Sequence, residues 1–391
     1  MKYIWIVMVF ILGAIETVAA QALKEDAFKL PKYHVESAPE WTNLLKRNSG
    51  WFGGDGIFSI SMDGNESSCN TKSQKLVYFS DTFVGEVKDG VPEKDYKMVN
   101  NSIALVSGCE ANPETFKFMI NKNQDGSPAT FFVPKNANAT KGQYYWLGDG
   151  FVNKEMNDSL FIFAYHVEMT GPNVFDFKEP NVSLLAIPAG SNPPFTNHKQ
   201  HITPLHIEHP EWGQVNFGAG ILVNTEWAGA QNPDGYIYVY GCMDKDKKLV
   251  AGRTLPSSFS DFCKWQFWDG KGWLSDALKM QAITNGVSNE LSVTPLPDGR
   301  FLLVFQVMGI SEKVGARVGL SPVGPFGDII ELYRTPEIDE GLLPYNAKAH
   351  PVLSKPGELL ISYNTITFDF WNDIAKNAHI YRPRFIRIIW E

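Results

Sequence analysis

Short glycine-rich motifs recur along the chain, and their recurrence limits the possible folds more than any other feature of the sequence. FGGDGIF (52–58), WLGDGFV (146–152) and NFGAGIL (216–222) align without a gap. Each is followed, across a turn-rich loop, by a second run of strand character: KLVYFSDTF, SLFIFAYHV and GYIYVYGCM. Two later pairs, SNELSVTPL before RFLLVFQVM and KAHPVLSKP before ELLISYNTI, bring the pattern to five units. Third strands are legible in NNSIALVSG, VSLLAIPAG, LVAGRTLPS and GARVGLSPV, and fourth strands in FKFMINK, KWQFWDGKGW and IIELYRT. Strand, turn and strand repeating about every 60 to 90 residues, with Gly, Pro, Asn and Asp in the connections and no long amphipathic helix, predict an all-β chain, a five-bladed β-propeller. A β-sandwich would not repeat equivalent short motifs at blade spacing.

The opening MKYIWIVMVFILGAIETVAAQ places one lysine before a compact apolar run and ends on small residues, the pattern of an export signal cleaved after Ala20. The run is short and is interrupted by Glu16, and no second apolar stretch of bilayer length follows it, so no membrane insertion is expected after cleavage. The expected organisation is a signal peptide over 1–20, a lead-in over 21–48 that packs against the propeller, and one propeller domain over 49–391. The expected location is periplasmic or extracellular.

A net charge of −8 without basic clusters argues against nucleic acid and anionic membrane surfaces as partners. Aromatic residues at 13%, with 11 tryptophans, suit both a large β core and stacking on sugars. An oxidising compartment lets cysteines pair. On a propeller, Cys69 and Cys109 fall together on one face and are expected to bond, whereas Cys242 and Cys263 are placed less favourably. The histidines of HKQHITPLHIEHP (His198, His201, His206, His209) are irregularly spaced around a proline and read as a solvated loop rather than a metal site.

In a propeller the start of a blade's first strand, the end of its second and the start of its third share a face. The first of these columns reads Asp55, Asp149, Ala219, Glu290 and His350; the second reads Asp81, Tyr165, Gly241, Gln306 and Asn364. Third strands begin with Asn100 and Asn101 or carry Arg253 and Arg317. Three acids around one funnel suit hydrolysis of a glycosidic bond. One protonated carboxyl donates to the leaving oxygen, one carboxylate acts as base or nucleophile, and a third tunes the others. The candidate catalytic residues are Asp55, Glu290 and Asp149. The candidate substrate-binding residues are Asp81, Asn101, His350, Arg317, Gln306, Tyr165, Trp146 and Asn364, with Glu226 as a reserve acid. Several have a plainer role: Asp55 and Asp149 as turn formers, Glu290 on a solvated strand edge, Asp81 bonded to the next turn, His350 as a core histidine, Arg317 as a neutraliser, Trp146 as packing between blades.

The strings GGDGIFSISMDG, FSDTF, NNSIAL, WLGDG, NELSVTPLPDGRFLLVF, SPVGPFG and AHPVLS resemble the five-bladed propeller glycoside hydrolases over residues 50 to 390. Within them the likeness is to secreted families akin to bacterial arabinan-degrading enzymes, and more distantly to glycoside hydrolase family 43. The resemblance implies a hydrolase of poly- or oligosaccharides, arabinofuranosidase-like in character, with Asp55 as base or nucleophile, Glu290 as proton donor and Asp149 as the tuning carboxylate. Glu290 departs from the usual family 43 context, and Asp81 competes with Asp149 for the tuning role. A second reading is a non-catalytic propeller that binds glycan or protein partners, which Ala219 favours by breaking the polar column. No cofactor is expected: the oxygen-rich channel would suit a structural calcium, but no loop has EF-hand spacing.

Overall fold

A computed structural model describes residues 26–391, so the export signal expected over 1–20 lies outside the described residues. Among the described residues seven antiparallel sheets form, and five of them succeed one another along the chain; the other two are the pair Asn121–Lys122 with Pro128–Ala129 and the sheet of Ser49–Gly54, Thr82–Lys88, Val91–Pro92 and Lys97–Val99. The first of the five holds Phe58–Ser61, Gln74–Phe79, Ser102–Ser107 and Phe116–Met119; the second Tyr144–Asn153, Ser159–Met169, Phe177–Ile187 and Lys199–Ile202. The third is built on Gly213–Asn224, Tyr236–Met243, Lys248–Thr254 and Gln266–Trp268, with His206–His209 and Trp273–Leu274 on its edges. The fourth holds Leu291–Pro295, Phe301–Gln306, Lys313–Gly319 and Ile330–Arg334. The fifth takes Leu343–Ala349, Glu358–Ile366 and Arg384–Trp390, and then Tyr33–Ser37 from the other end of the chain, with Val35 opposite Ile388.

Second strands read as continuous apolar runs because both faces of each sheet are covered. In Ser159–Met169, the side chains of Phe161, Phe163 and Tyr165 enter a core shared with Phe217 and Val239 of the third sheet. Leu160, Ile162 and Ala164 point the other way, into a core shared with Phe58, Ile60 and Tyr78 of the first. The two-residue period of a strand thus divides one run between two cores. Tyr238 and Tyr240 join Leu303 and Phe305 between the third and fourth sheets. Leu302 and Val304 join Ile361 and Tyr363 between the fourth and fifth. Leu360 and Phe385 of the fifth sheet meet Val77 and Phe79 of the first, so the last sheet shares a core with the first.

Three sequence expectations need correction. The fifth first strand is Leu343–Ala349 rather than KAHPVLSKP, because Pro351 opens the short 3-10 turn Pro351–Leu353. A proline cannot extend a ladder through its missing N–H. His201, His206 and His209 lie on the strands Lys199–Ile202 and His206–His209, not in a loop. Strand Ser49–Gly54, which precedes the first glycine motif's acid, leaves the first sheet and pairs with Thr82–Lys88. Cys69 and Cys109 form a disulfide with Cα atoms 5.9 Å apart, while Cys242 and Cys263 are free.

Candidate functional site

A cavity of about 670 Å³ opens where the first strands begin. Its wall takes Trp146 and Leu147 from the second sheet, Ala219 from the third, Glu290 just ahead of the fourth, and Tyr345 and Asn346 from the fifth. Asp55, Ser80 and Asp81 come from the two points at which the chain crosses between sheets. These crossings are bonded together, Ser80 N–H to Asp55 O at 2.8 Å and Asp55 N–H to Asp81 O at 3.3 Å. Gly56, with φ of +55°, completes the turn; a Cβ there would stand 2.7 Å from Ser80 Oγ and 3.4 Å from Glu290 Oε1. The positive φ and the close Ser80 side chain both favour glycine at this turn.

Pairing slips between Leu147 and Gly150, between Phe217 and Gly220, and between Tyr345 and Lys348, so three first strands bulge at this level. A bulge breaks strict alternation and re-aims side chains. In the fifth sheet Asn346 takes a left-handed φ of 54°, and neighbouring residues both reach acids of the cavity. Tyr345 O–H donates to Asp55 Oδ2 at 2.7 Å, and Asn346 Nδ2 donates to Glu290 Oε1 at 2.9 Å. Adjacent residues of a regular strand would point to opposite faces.

The remaining oxygens, Asp55 Oδ1 and Glu290 Oε2, are buried without a hydrogen-bond partner. So are the Tyr165 hydroxyl and the Trp146 ring nitrogen, which line the same cavity. The Trp146 N–H lies near Asp81 without closing a hydrogen bond. Asp81 Oδ1 accepts from Asn100 Nδ2 at 3.0 Å. Across the cavity, Glu179 Oε2 accepts from Asn216 Nδ2 and, at 3.4 Å, from Gln214 Nε2.

Burial is the leading cause of every shift in proton affinity here, since a carboxylate stripped of water favours its neutral form. It pushes Asp55 up to about 6, with the Tyr345 and Tyr381 hydroxyls pulling back. Asp81 rises to about 7, helped by the charge of Asp55, and Glu179 also to about 7. Glu290 rises to about 8; Lys348 opposes the rise while Asp55 and Asp149 add to it.

Asp55, Glu290, Asp81, Tyr165 and Trp146, expected from the sequence, thus meet in one cavity. Asp149 does not join them. Its Oδ1 accepts from Gly150 N–H at 3.0 Å and its Oδ2 from Ile221 N–H at 2.9 Å, and Lys348 Nζ stands 3.5 Å away. It lines a separate cleft of about 70 Å³ with Glu66, Lys348 and Ser59. The other expected residues lie outside the cavity wall, and buried backbone and side-chain groups claim four of them, Asn101, His350, Arg317 and Gln306. Asn101 donates to the carbonyls of Phe132 and Tyr145 at 2.9 and 3.1 Å. His350 bridges Ser59 and Ser362 at 2.9 and 2.7 Å. Arg317 donates to Gly327 O at 2.7 Å and Asn285 O at 3.2 Å, and Gln306 to Ser311 O at 2.6 Å. Asn364 is fully buried with its amide atoms unpartnered, away from the cavity. Glu226 is exposed.

Sequence reasoning missed Glu179, Tyr345, Asn346, Tyr381 and Lys348. Two carried a signal: Glu179 is an acid beside Pro180 amid strand residues, and Lys348 is a lone cation between alanines in YNAKAH. Among the described residues, no group of three or more His, Cys, Asp or Glu is arranged to hold a metal ion.

A family model with the description Domain of unknown function (DUF5005) matches residues 39–390. No curated protein matches the chain. Among solved structures, one titled "putative hydrolase" from Bacteroides ovatus ATCC 8483 is similar at 20% identity with a TM-score of 0.66, over 90% of each chain. That likeness is one of fold. An exo-beta-1,3-galactanase from Phanerochaete chrysosporium is similar at 6% identity and a TM-score of 0.45, over 86% of this chain and 60% of that one. The GH43 BlXynB protein from Bacillus licheniformis follows at 10% identity and a TM-score of 0.39, over 85% and 51%.

Proposed function

The chain belongs to the DUF5005 family over residues 39–390, and from that premise we propose that it is a secreted glycoside hydrolase with five-bladed β-propeller architecture, acting on a poly- or oligosaccharide. The five successive meanders, the shared core between last sheet and first, and the outer strand Tyr33–Ser37 borrowed from the N-terminal side support the propeller. The signal-like opening, a lysine before a short apolar run that ends on small residues at Ala20, supports export. The similar Bacteroides ovatus structure, described as a "putative hydrolase", fits the same reading.

One observation carries the chemistry. Asp55 Oδ1, Glu290 Oε2, Tyr165 Oη and Trp146 Nε1 are buried, unpartnered and gathered on one cavity. Buried polar atoms are otherwise almost always satisfied, so such a group is held ready for a polar ligand. Glu290, pushed up to about 8, carries its proton at neutral pH and donates it to the glycosidic oxygen. Asp55, at about 6, is ionised at the same pH and acts as base on water or as nucleophile at the anomeric carbon. Asp81, bonded to Asn100 and raised by Asp55, takes the tuning role in the cavity. Asp149 acts on Glu290 only through its charge.

The test is a polysaccharide screen, arabinan included, that follows the anomeric configuration of the product. Asp55→Asn and Glu290→Gln are expected to lose turnover while keeping the fold and sugar binding. Parental hydrolysis rates in both variants would overturn the reading.

A further inference from the structure

We infer that the cavity mouth receives an apolar aglycone, so that the substrate is a glycoside carrying an alkyl or aryl group; this rests on the glycoside hydrolase reading above and narrows its substrate. Large apolar side chains left in water are ordinary when scattered and informative when contiguous. Among the described residues, Met98, Met169, Phe175, Met308, Ile310 and Trp371 are exposed, and all of them line this one cavity. Phe368, 78% exposed, extends the patch by its contact with Phe175 at 6.3 Å between ring centroids. These residues come from separate segments that meet at one cavity: Met98 in the strand Lys97–Val99, Met169 and Phe175 at the Ser159–Met169/Phe177–Ile187 hairpin of the second sheet, Met308 and Ile310 in the hairpin loop of the fourth, and Phe368 and Trp371 after Glu358–Ile366 of the fifth.

The mouth is poorly made for a second sugar. A sugar subsite wants a flat aromatic face together with donors and acceptors for the hydroxyls. Phe175, Phe368 and Trp371 give the mouth aromatic faces, but Met98, Met169, Met308 and Ile310 beside them bring no donors or acceptors for hydroxyls, and flexible thioethers conform well to apolar groups of varied shape. The charged groups on the same rim are already engaged: Lys178 with Glu168 at 3.0 Å, and Lys247 with Asp244 at 3.1 Å and Asn289 at 2.9 Å. Beneath this rim lie Asp55, Asp81, Glu179 and Glu290, polar and fit for hydroxyls. A ligand that fills both levels is polar at one end and apolar at the other, joined at the level of the acids. Its hydrolysis breaks the bond from the anomeric carbon to the glycosidic oxygen. The Glu290 proton goes to that oxygen, and water supplies hydroxide to the anomeric carbon and returns a proton to the carboxyl pair. The products are a free sugar and an apolar alcohol or phenol.

The experiment is calorimetric titration of the full exported chain carrying Asp55→Asn with methyl, butyl and octyl glycosides of glucose, galactose and arabinose, below their micelle concentrations. Each buried methylene raises affinity by up to about fourfold, so octyl is expected to bind at least tenfold tighter than butyl for one or more of these sugars, with phenyl glycosides above methyl. Adding Phe175→Ser and Ile310→Ser, both at exposed positions, is expected to cut that gain to threefold or less while circular dichroism reports an unchanged fold. Equal affinity for butyl and octyl, or a gain that survives the double substitution, overturns the proposal. So does sedimentation of the parent as a dimer that the double substitution dissociates, since the patch would then join two copies of the chain. The hydrolase reading fails separately: a chain-length gain in a parent that hydrolyses no glycoside would leave an apolar glycoside-binding site without catalysis, and parental turnover in both Asp55→Asn and Glu290→Gln would take the chemistry away from these acids.

Discussion

The cavity and the small cleft lie along the same first strands, one after the other, and both are lined by buried acids. Tyr345 and Asn346 face the cavity while Lys348 faces the cleft; Trp146 and Leu147 face the cavity while Asp149 faces the cleft. What separates the two is a cation. In the cleft Lys348, 3% exposed, lies 3.5 Å from Asp149 Oδ2 and over the Phe58 ring at 3.5 Å from its centroid. Its charge lowers the proton affinity of both Asp149 and Glu66, although burial still leaves both raised. In the cavity, Asp55 and Asp81 have only neutral hydrogen-bond donors. Equal residue types at similar burial thus stand beside a buried cation in one place and beside neutral donors in the other.

The sharpest way to break this contrast is Glu290→Gln. If the cavity acids are the working ones, turnover on the glycan found by screening falls about 10²- to 10⁴-fold, the range of one general acid. The matching change in the cleft, Asp149→Asn, is expected to leave most of that turnover in place while lowering the melting temperature. Steady-state kinetics of the two variants side by side measure the difference.

Next in size is Lys348→Met. Removing one partner from a buried pair costs about 3–5 kcal/mol, because the other charge is left stranded. Denaturant unfolding is expected to register that loss, and Lys348→Met combined with Asp149→Asn is expected to recover at least half of it. Lys348 also opposes the rise of Glu290, so its loss pushes Glu290 higher still and moves the alkaline limb of the pH profile upward.

The disulfide gives a contrast that leaves both sites alone. Cys69→Ser with Cys109→Ser opens a loop of sequence separation 40, and the expected cost is about 2–4 kcal/mol. Thermal unfolding measures it, with the chemistry at the cavity unchanged.

The smallest effect is a pH slope. Asp55, Asp81, Glu179 and Glu290 bind protons more tightly folded than unfolded, at about 6, 7, 7 and 8. Their contribution is present at low pH and is lost as pH rises through those values. His166 and His350 are lowered by burial from 6.5 and act oppositely, but only below that pH. The melting temperature is therefore expected to fall between about pH 6.5 and 9, and Asp81→Asn is expected to flatten the fall. A melting temperature that rises across that range would mean that the cavity acids are not held above their usual range.

Much of the sheet order was legible because covered strands must be apolar on both faces and their turns must be Gly, Pro, Asn or Asp. FSDTF and WLGDG also located Asp81 and Trp146. The fifth first strand was misplaced because Leu343–Ala349 carries Tyr345, Asn346 and Lys348, whose polarity hides a buried strand. Those are the residues that hold Asp55 and Glu290 and set the charge of the cleft. Arg317, Gln306 and Asn101 looked equally polar in sequence, and only three dimensions show that backbone carbonyls claim them.

The sequence by itself determined the strand repeats, the breaks between them and the presence of acids at strand starts, since periodicity and turn chemistry are local. Tertiary structure alone decided which acids face open volume and which face Lys348. A one-residue bulge or a single buried cation reverses that outcome, because the energy of a buried charge depends on the atoms across the gap, and those come from other sheets.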